Sequence, residues 1–240
     1  MQSRLRGTVG GSVVRDPADH CLVQRAVQAR GFALECAAAW VFGMLRSMNC
    51  DKLVAQAADF RREAPRLTIR RLCEGDYEVA VAHELDRRIM RHIRDPLPEA
   101  EVREKVRGMC EPWSGACNEW VGLVVARRDT DEMIGLVAFR VVSEENATVE
   151  IGYRLHPDHQ GKGFGYEACR SLLQFLFAEA DVRRVVALCV ADNEASFRLM
   201  EKLGMRREAR FHEFCQIGGA WQDELAYAIL RREWSRQPAI

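Results

Sequence analysis

The sequence predicts an α/β fold in which helices flank a mixed sheet, and three features predict it. Three segments between Trp120 and Leu155 have strand character and are joined by polar turns, which indicates an antiparallel meander. A glycine-rich turn and an amphipathic helical pattern follow. The continuous apolar run Val185–Val190 is typical of a parallel strand that is buried on both faces. The unit from Thr148 to Val190 is therefore strand–helix–strand, with a right-handed crossover.

The remaining elements follow from local signals. Asp76 is a good N-cap for the helical pattern after it, and Pro98 precedes a second helix. Asn193 is placed to cap a helix that ends at Gly204. The first helical pattern continues from Asp76 through Leu85 and Ile89 until Pro96 breaks it. The other predicted helices are Glu99–Met109, about Gly165–Ala180, and Asn193 to Gly204. The predicted strands are Leu67–Leu72, Trp120–Ala126, Met133–Val142, Thr148–Leu155, Val185–Val190, Met205–Gln216 and Trp221–Leu230.

The turn from His156 to Tyr166 has the composition of a phosphate site. It carries glycines at three alternate positions where a strand meets a helix. Consecutive backbone N–H groups at the start of a helix favour a bound phosphate, and glycines let the phosphate approach the backbone. The alternative is a tight turn that only connects the strand to the helix.

Two common phosphate motifs are excluded at this turn. A P-loop requires Ser or Thr after its lysine, but Gly163 follows Lys162. A dinucleotide fingerprint read from Gly161 requires a last glycine where Tyr166 stands. The residues instead match Q-x-x-G-x-G, beginning at Gln160.

This pattern resembles the pyrophosphate-binding signature of the GNAT (Gcn5-related) N-acetyltransferases. The block Asn193–Met205 resembles the family pattern N-x-x-S-x-x-x-x-x-K-x-G-[FM], and Gly219–Leu230 resembles the RimJ/RimL-like branch. The resemblance covers roughly Pro65 to Trp234. It implies the GNAT acyl-CoA N-acyltransferase fold, with a mostly antiparallel central sheet and a parallel strand pair that splays apart at the CoA cleft.

The resemblance also implies a function. The chain is expected to be an acetyl-CoA-dependent N-acetyltransferase that transfers the acetyl group by direct attack in a ternary complex. The acceptor is expected to be a primary amine, either a protein N-terminus or a small molecule. One alternative is a catalytically silent acyl-CoA-binding sensor, and another gives the main role to an N-terminal interaction or membrane-contact helix.

Acetyl transfer to an amine requires a proton acceptor, because a free lysine amine has a pKa of about 10.4 and is mostly protonated at neutral pH. The resemblance implies Glu150 as the general base, directly or through a water. It implies Ser196 as the general acid that protonates the departing thiolate. The alternatives are that Glu150 is solvated or pairs with Arg154, and that Ser196 only caps its helix. His212 is an alternative base.

The resemblance implies that CoA contacts the strand before the turn, the turn itself and the helix that Asn193 begins. Capping alone is the alternative for Asn193, and solvation is the alternative for Lys162, Arg198 and Lys202. The predicted CoA-binding residues are Tyr153, Arg154, Leu155, Gln160, Gly161, Lys162, Gly163, Phe164, Gly165, Tyr166, Asn193, Ser196, Arg198 and Lys202.

The acceptor site is only loosely indicated. The carboxylates of Glu213 and Asp223 would attract a cationic amine, and its apolar wall would come from Phe211, His212, Phe214 and Trp221. Each of these residues also fits a packing or surface role. The segment Asp86–Pro98 is basic, which hints at an acidic feature on the acceptor, although a solvated helix face explains it equally well.

Composition limits the partners. The formal net charge is zero, so charge does not favour a nucleic-acid or membrane partner. The nine cysteines include no C-x-x-C pair, so neither a disulfide framework nor a metal site is indicated. We expect no metal, a cytoplasmic protein, and a monomer or homodimer.

The chain divides into an N-terminal extension, residues 1–64, and a GNAT N-acetyltransferase domain, residues 65–240. The apolar run Gly31–Leu45 is short for a membrane span. We expect either one helix or a flexible leader in the extension. The alternative is that the true N-terminus of the protein is Met48.

Overall fold

The structure is a computed structural model that describes residues 48–236. The expectations for the helix in residues 31–45 and for the role of residues 1–47 lie outside the described residues. The helices are α1 Cys50–Ala58, α2 Tyr77–Leu85, α3 Arg87–Met90, α4 Glu99–Cys110, α5 Phe164–Ala178, α6 Glu194–Lys202 and α7 Arg231–Trp234. The strands are β1 Arg61–Glu63, β2 Leu67–Arg71, β3 Val121–Arg127, β4 Met133–Ser143, β5 Thr148–Leu155, β6 Arg184–Val190, β7 Arg206–Ile217 and β8 Ala220–Leu230.

These strands form one mixed sheet with the order β1-β2-β3-β4-β5-β6-β8-β7. Neighbouring strands are antiparallel except for β5 and β6, which are parallel. The predicted mixed sheet, meander and parallel crossover are therefore confirmed. The bounds of the other predicted elements agree to within about two residues, but the helical pattern predicted from Asp76 through Ile89 is divided in two at Asp86, whose side chain accepts a hydrogen bond from the Arg88 N–H and so caps a new helix.

The sheet is covered on both faces. On one face α1 and α5 bury apolar side chains, such as Leu53 and Leu172, against the sheet. On the other face α2 and α4 contribute Val81 and Val106 to a second, smaller core over β3 and β4. Strand residues alternate between the two cores, as the two-residue period of a strand requires.

Residues upstream of position 65 take part in this core. Leu53 of α1 is fully buried, and Phe60 contacts the ring of Phe175 on α5 with the centroids 4.9 Å apart. The strand β1 pairs with β2 at the edge of the sheet. Residues 48–63 therefore pack with the sheet that carries the glycine turn.

Asp76 differs from its predicted role. The helix α2 does begin directly after Asp76, but the side chain makes no capping hydrogen bond to it. Both carboxylate oxygens instead accept hydrogen bonds from the guanidinium of Arg70, at 2.6 and 2.9 Å. Two hydrogen bonds between opposite charges are stronger than one hydrogen bond from a backbone N–H, so the contact with Arg70 determines the orientation of the carboxylate.

Among residues 48–236, no helix has the length and apolar character needed to cross a membrane.

Candidate active site

The parallel pairing of β5 and β6 is short. Within the described part of the chain, Thr148–Glu150 pair with Arg184–Val186, and the two strands then separate. Beyond that point β5 continues alongside β4 as far as Leu155, and β6 continues alongside β8 as far as Val190. A wedge-shaped gap therefore opens between two strands of a continuous sheet, at the end where the glycine turn begins.

The glycine turn closes the wide end of this gap and leads into α5. Gly161 and Gly163 have φ values of 72° and 82°, in the left-handed region that favours glycine. Gly163 is the residue that caps the N-terminus of the 15-residue helix α5. The side chain of Gln160 donates a hydrogen bond to the carbonyl of Leu155 at 2.9 Å, which ties the turn back to the strand. The turn thus presents a helix N-terminus to the gap, which is the geometry of an anion site.

Arg66 lies beside this turn, and sequence reasoning missed it. Its Nη1 donates to the carbonyl of Lys162 at 3.0 Å, and its Nε donates to Glu167 at 2.8 Å. The guanidinium also lies 4.5 Å from the centre of the Phe164 ring. Arg66 is about a hundred residues away along the chain, so no local motif connects it with the turn.

Ser196 lies at the start of α6 and is linked to β5 by Tyr153. The Asn193 side chain caps the helix by accepting a hydrogen bond from the Ser196 N–H at 3.2 Å, which confirms the predicted cap. The Ser196 hydroxyl is 2.9 Å from the hydroxyl of Tyr153, which also donates to the Ser196 carbonyl at 3.1 Å. Burial raises the pKa of Tyr153 well above its usual value, so the phenol remains protonated. The Ser196 hydroxyl is therefore held by the strand that borders the gap.

The two faces of the sheet differ at the gap. Tyr153 points toward α6, so alternation along β5 directs Glu150, Gly152 and Arg154 to the opposite side. We call this side the Glu150 face and the other side the α6 face. On β8, Tyr227 donates a hydrogen bond to Glu201 of α6 and therefore belongs to the α6 face.

Glu150 is paired with an arginine on the neighbouring strand. Arg140 lies directly opposite it on β4, and Nε and Nη2 of Arg140 donate to the same Glu150 oxygen at 3.0 and 2.7 Å. The Arg140 guanidinium in turn lies 4.8 Å from the centre of the Trp120 ring. A Cβ at Gly152 would lie 3.3 Å from that ring, so glycine leaves room for Trp120 beside Glu150.

Arg154 has a different partner from the one considered above. Its Nη2 lies 2.6 Å from Glu84 of α2 rather than beside Glu150. Glu84 is fully buried and also contacts Arg94 at 2.5 Å and Lys105 at 3.2 Å. Burial alone would raise the pKa of Glu84, but the positive charges of Arg154, Lys105 and Arg94 lower it to about 2. The Glu150 face therefore contains a carboxylate that is surrounded by three cations.

Glu224 is a second buried carboxyl on the Glu150 face, and sequence reasoning missed it. It lies three residues before Tyr227 on β8, so its side chain leaves the sheet on the opposite face from Tyr227. Glu224 is 6% exposed, and its Oε2 has no hydrogen-bond partner among residues 48–236. Burial, and then the negative charge of Glu150, raise the pKa of Glu224 to about 7, although Arg140 opposes the shift. No motif distinguishes this glutamate from the surface glutamates of the chain.

Three other predicted residues have partners within the protein. Arg198 pairs with Glu194 at 2.6 Å, and the Lys202 ammonium lies 4.6 Å from the centre of the Tyr166 ring. His212 is exposed, and its Nδ1 lies 3.0 Å from Asp223. Their proposed contacts with CoA or an acceptor stay predictions.

Asp223 already has protein partners. It accepts hydrogen bonds from Arg210 at 2.8 Å and from the backbone N–H of Glu213 at 2.9 Å. The rings of Phe211 and Phe214 pack together with centroids 5.2 Å apart. The turn after β7 contacts the segment that follows α3, since the N–H of Gly218 donates to Asp95 at 2.6 Å. The β7–β8 hairpin and the basic segment therefore meet.

No group of three or more His, Cys, Asp or Glu side chains within residues 48–236 is arranged to hold a metal ion.

Comparison with known proteins identifies the family. The acetyltransferase (GNAT) domain family matches residues 66–206 of the chain. The chain belongs to the GNAT family and is an acyltransferase of the N-acetyltransferase type, and the predicted family and fold are confirmed.

Individual relatives agree with this assignment. The chain is 33% identical over 171 residues to YnaD, an uncharacterized N-acetyltransferase of Bacillus subtilis (strain 168), and the match covers 71% of this chain and 96% of YnaD. A crystal structure of a GNAT-family acetyltransferase from Bacillus anthracis matches with a TM-score of 0.63 and 31% identity, over 72% of this chain and all of that one. The ribosomal-protein-serine acetyltransferase of Escherichia coli (strain K12) is 32% identical over 98 residues, or 41% of this chain and 55% of that protein. The predicted resemblance to the RimJ/RimL-like branch is therefore confirmed, at moderate sequence identity.

Proposed function

We propose that the protein transfers an acetyl group from acetyl-CoA to a primary amine, by direct attack of the amine on the thioester in a ternary complex. The observation that carries this proposal is the gap between β5 and β6, which opens between a helix N-terminus and a buried carboxyl pair. The amine is either a protein N-terminus or a small molecule. The ribosomal-protein acetyltransferase among the relatives is one reason to include protein N-termini.

The glycine turn supports acetyl-CoA as the acetyl donor. Its left-handed glycines and the first turn of α5 offer backbone N–H groups to a pyrophosphate, with Arg66 as a nearby cation. The backbone edge of β5 beyond Glu150 is available to the pantetheine arm, since β6 has already separated from it. The thioester then reaches the narrow end of the gap, between the two faces of the sheet.

Ser196 is the candidate for protonating the departing thiolate. It lies on the α6 face, where its hydroxyl contacts the hydroxyl of Tyr153, which remains a protonated phenol, and the thiol of Cys189, whose pKa burial raises to about 11. Tyr153 therefore holds the Ser196 hydroxyl in position rather than taking its proton. Glu150 is the candidate for attracting and deprotonating the acceptor amine, directly or through a water, from the opposite face.

The test follows release of the CoA thiol from acetyl-CoA with purified protein, over a panel of polyamines, aminoglycosides, amino acid derivatives and peptides with free N-termini. We expect thiol release with one class of amine, and about a 100-fold lower kcat for Ser196→Ala. Calorimetry with acetyl-CoA is expected to give similar affinities for both proteins, because the glycine turn is unchanged.

Binding of acetyl-CoA without turnover on any amine would favour the sensor alternative. Absence of binding by the wild-type protein would contradict the proposed donor. A Ser196→Ala protein with unchanged kcat would remove Ser196 from the acid role and leave the overall reaction intact.

A further inference from the structure

The Glu150 face contains two buried carboxyl groups near the gap, Glu150 and Glu224, and their hydrogen-bond partners differ. Glu150 is held by two hydrogen bonds from Arg140, which stabilise its negative charge. Glu224 has no such cation bonded to it, and its Oε2 is buried without a hydrogen-bond partner in the described part of the chain. When two neighbouring carboxyl groups have different environments, one can remain charged while the other accepts a proton.

We propose that Glu224 is the general base of the acetyl transfer, and that Glu150, fixed by Arg140, is a positioning residue that acts through Glu224. This inference rests on the proposed function and replaces one role within it.

Strand geometry places Glu224 on the correct side of the gap for this role. Glu224 lies opposite Val190 on β6, at the end where β6 has separated from β5. Its side chain leaves the sheet on the Glu150 face, while Ser196 lies on the α6 face. An amine that enters from the Glu150 face therefore meets the thioester carbon from the side opposite to Ser196.

The groups around Glu224 come from four strands. Glu150 on β5 raises its pKa and Arg140 on β4 lowers it, with burial as the largest cause of the net rise to about 7. Cys189 on β6 and Cys215 on β7 also lie within electrostatic range of Glu224. Burial raises the pKa of both thiols, to about 11 for Cys189, so neither adds a charge at neutral pH.

In the proposed reaction the ammonium group loses two protons and the thiolate gains one. The acceptor arrives as an ammonium ion, and an ionised Glu224 oxygen takes one proton from it. The lone pair of the neutral amine forms the C–N bond with the thioester carbon, and the C–S bond breaks with its electron pair on sulfur. The nitrogen of the new amide loses its surplus proton to solvent, while the thiolate takes a proton from the Ser196 hydroxyl, which solvent then reprotonates. The proton on Glu224 then leaves to solvent, so the products are amide, CoA thiol and one proton.

The experiment is a pH profile of kcat/KM from pH 5.5 to 9.5, using the panel amine that gives the fastest thiol release with the wild-type protein. The variants are Glu224→Gln, Glu224→Asp and Glu150→Gln, with Glu101→Gln on the exposed surface of α4 as a matched control. Calorimetry with acetyl-CoA shows whether each variant keeps a folded donor site.

The wild-type profile is expected to rise through a limb near pH 7. We expect Glu224→Gln to bind acetyl-CoA normally, to lose about 100-fold in kcat/KM at pH 8 and to lose that limb. Glu224→Asp is expected to recover part of the activity. Glu150→Gln is expected to move the limb to lower pH, because Glu150's negative charge no longer opposes ionisation of Glu224. A role of Glu150 in packing alone would not move the limb.

An active wild type whose Glu224→Gln variant keeps the limb and stays within threefold in kcat/KM would overturn the assignment of the base alone. A limb that is lost in Glu150→Gln but kept in Glu224→Gln would return the role to Glu150. A wild-type protein that binds acetyl-CoA but acetylates no amine would overturn the proposed function, and the base assignment with it.

Discussion

The glycine turn and the Glu150 face adjoin the same strand, β5, but they are built in different ways. The turn uses backbone N–H groups and left-handed glycines within a few consecutive residues, from Gln160 to Gly165. The Glu150 face uses charged side chains from β4, β5, β8, α2 and α4, which are far apart along the chain. The first can be recognised as a motif, and the second exists only after folding.

The two regions also differ in what a substitution should change. Backbone groups at an exposed turn contribute little to the core, so changes there are expected to affect ligand binding. The charges of the Glu150 face are buried, so changes there affect the free energy of unfolding and its pH dependence. Substitutions in the two regions should therefore separate a loss of ligand affinity from a change in stability.

Glu84→Gln is expected to have the largest effect, a loss of about 3 kcal/mol in the free energy of unfolding at pH 7, because it leaves the mostly buried guanidinium groups of Arg94 and Arg154, and the partly exposed ammonium group of Lys105, without their counter-charge. The pKa of about 2 for Glu84 in the folded protein lies below the usual value of 4.5 for a glutamate. The stabilisation is therefore present above pH 4.5 and is lost as the pH falls toward 2.

Urea unfolding between pH 2 and pH 7 measures this change, and Glu101→Gln on the exposed surface of α4 is the control. Equal stability of Glu84→Gln and the control at pH 7 would show that the cluster does not support the fold.

Gly163→Glu is expected to reduce acetyl-CoA affinity by more than 100-fold, or about 3 kcal/mol, measured by calorimetry. A side chain at φ 82° strains the turn, and its charge repels a phosphate. The free energy of unfolding is expected to change by less than about 2 kcal/mol. Gly219→Glu, at φ 75° in the open β7–β8 turn, is the matched control for binding. Similar acetyl-CoA affinities for the two variants would contradict a phosphate site at Gly163.

Glu224→Gln is expected to raise the free energy of unfolding by about 2 kcal/mol at pH 8. The pKa of about 7 for Glu224 in the folded protein lies above the usual value of 4.5 for a glutamate, so the stabilisation from Glu224 is fully present below pH 4.5. That stabilisation is lost as the pH rises through 7, and the variant lacks this loss.

Urea unfolding at pH 5 and pH 8 compares the variant with the wild type. A difference that does not grow between the two values would mean that Glu224 does not titrate in this range.

Arg66→Ala is expected to have the smallest effect, about a fivefold loss of acetyl-CoA affinity, or roughly 1 kcal/mol. The substitution removes a cation and a hydrogen bond to the carbonyl of Lys162, but the backbone N–H groups remain. Arg128→Ala is the control, since Arg128 donates to the carbonyl of Ala64 rather than to the turn. Calorimetry in parallel measures both variants, and equal affinities would exclude a role of Arg66 at the phosphates.

Much of the fold was readable from periodicity. The meander, α5 and the buried strand β6 follow apolar patterns with the period of a strand or a helix, and the structure places them within about two residues of the prediction. The short elements α1 and β1 were missed, because α1 buries only Leu53 and Ala57 and so shows little pattern. Their place in the sheet and core depends on contacts with distant residues, including Phe175.

The candidate site was readable where its residues are contiguous. The sequence by itself determined the family, the glycine turn, the Asn193 cap and the positions of Glu150 and Ser196, because each depends on spacing along the chain. Only the tertiary structure decided that Arg140 pairs with Glu150, that Tyr153 holds Ser196 and that Glu224 lies buried beside a charged neighbour. Proton affinity depends on burial and on nearby charge, and both arise only when distant strands are brought together by folding.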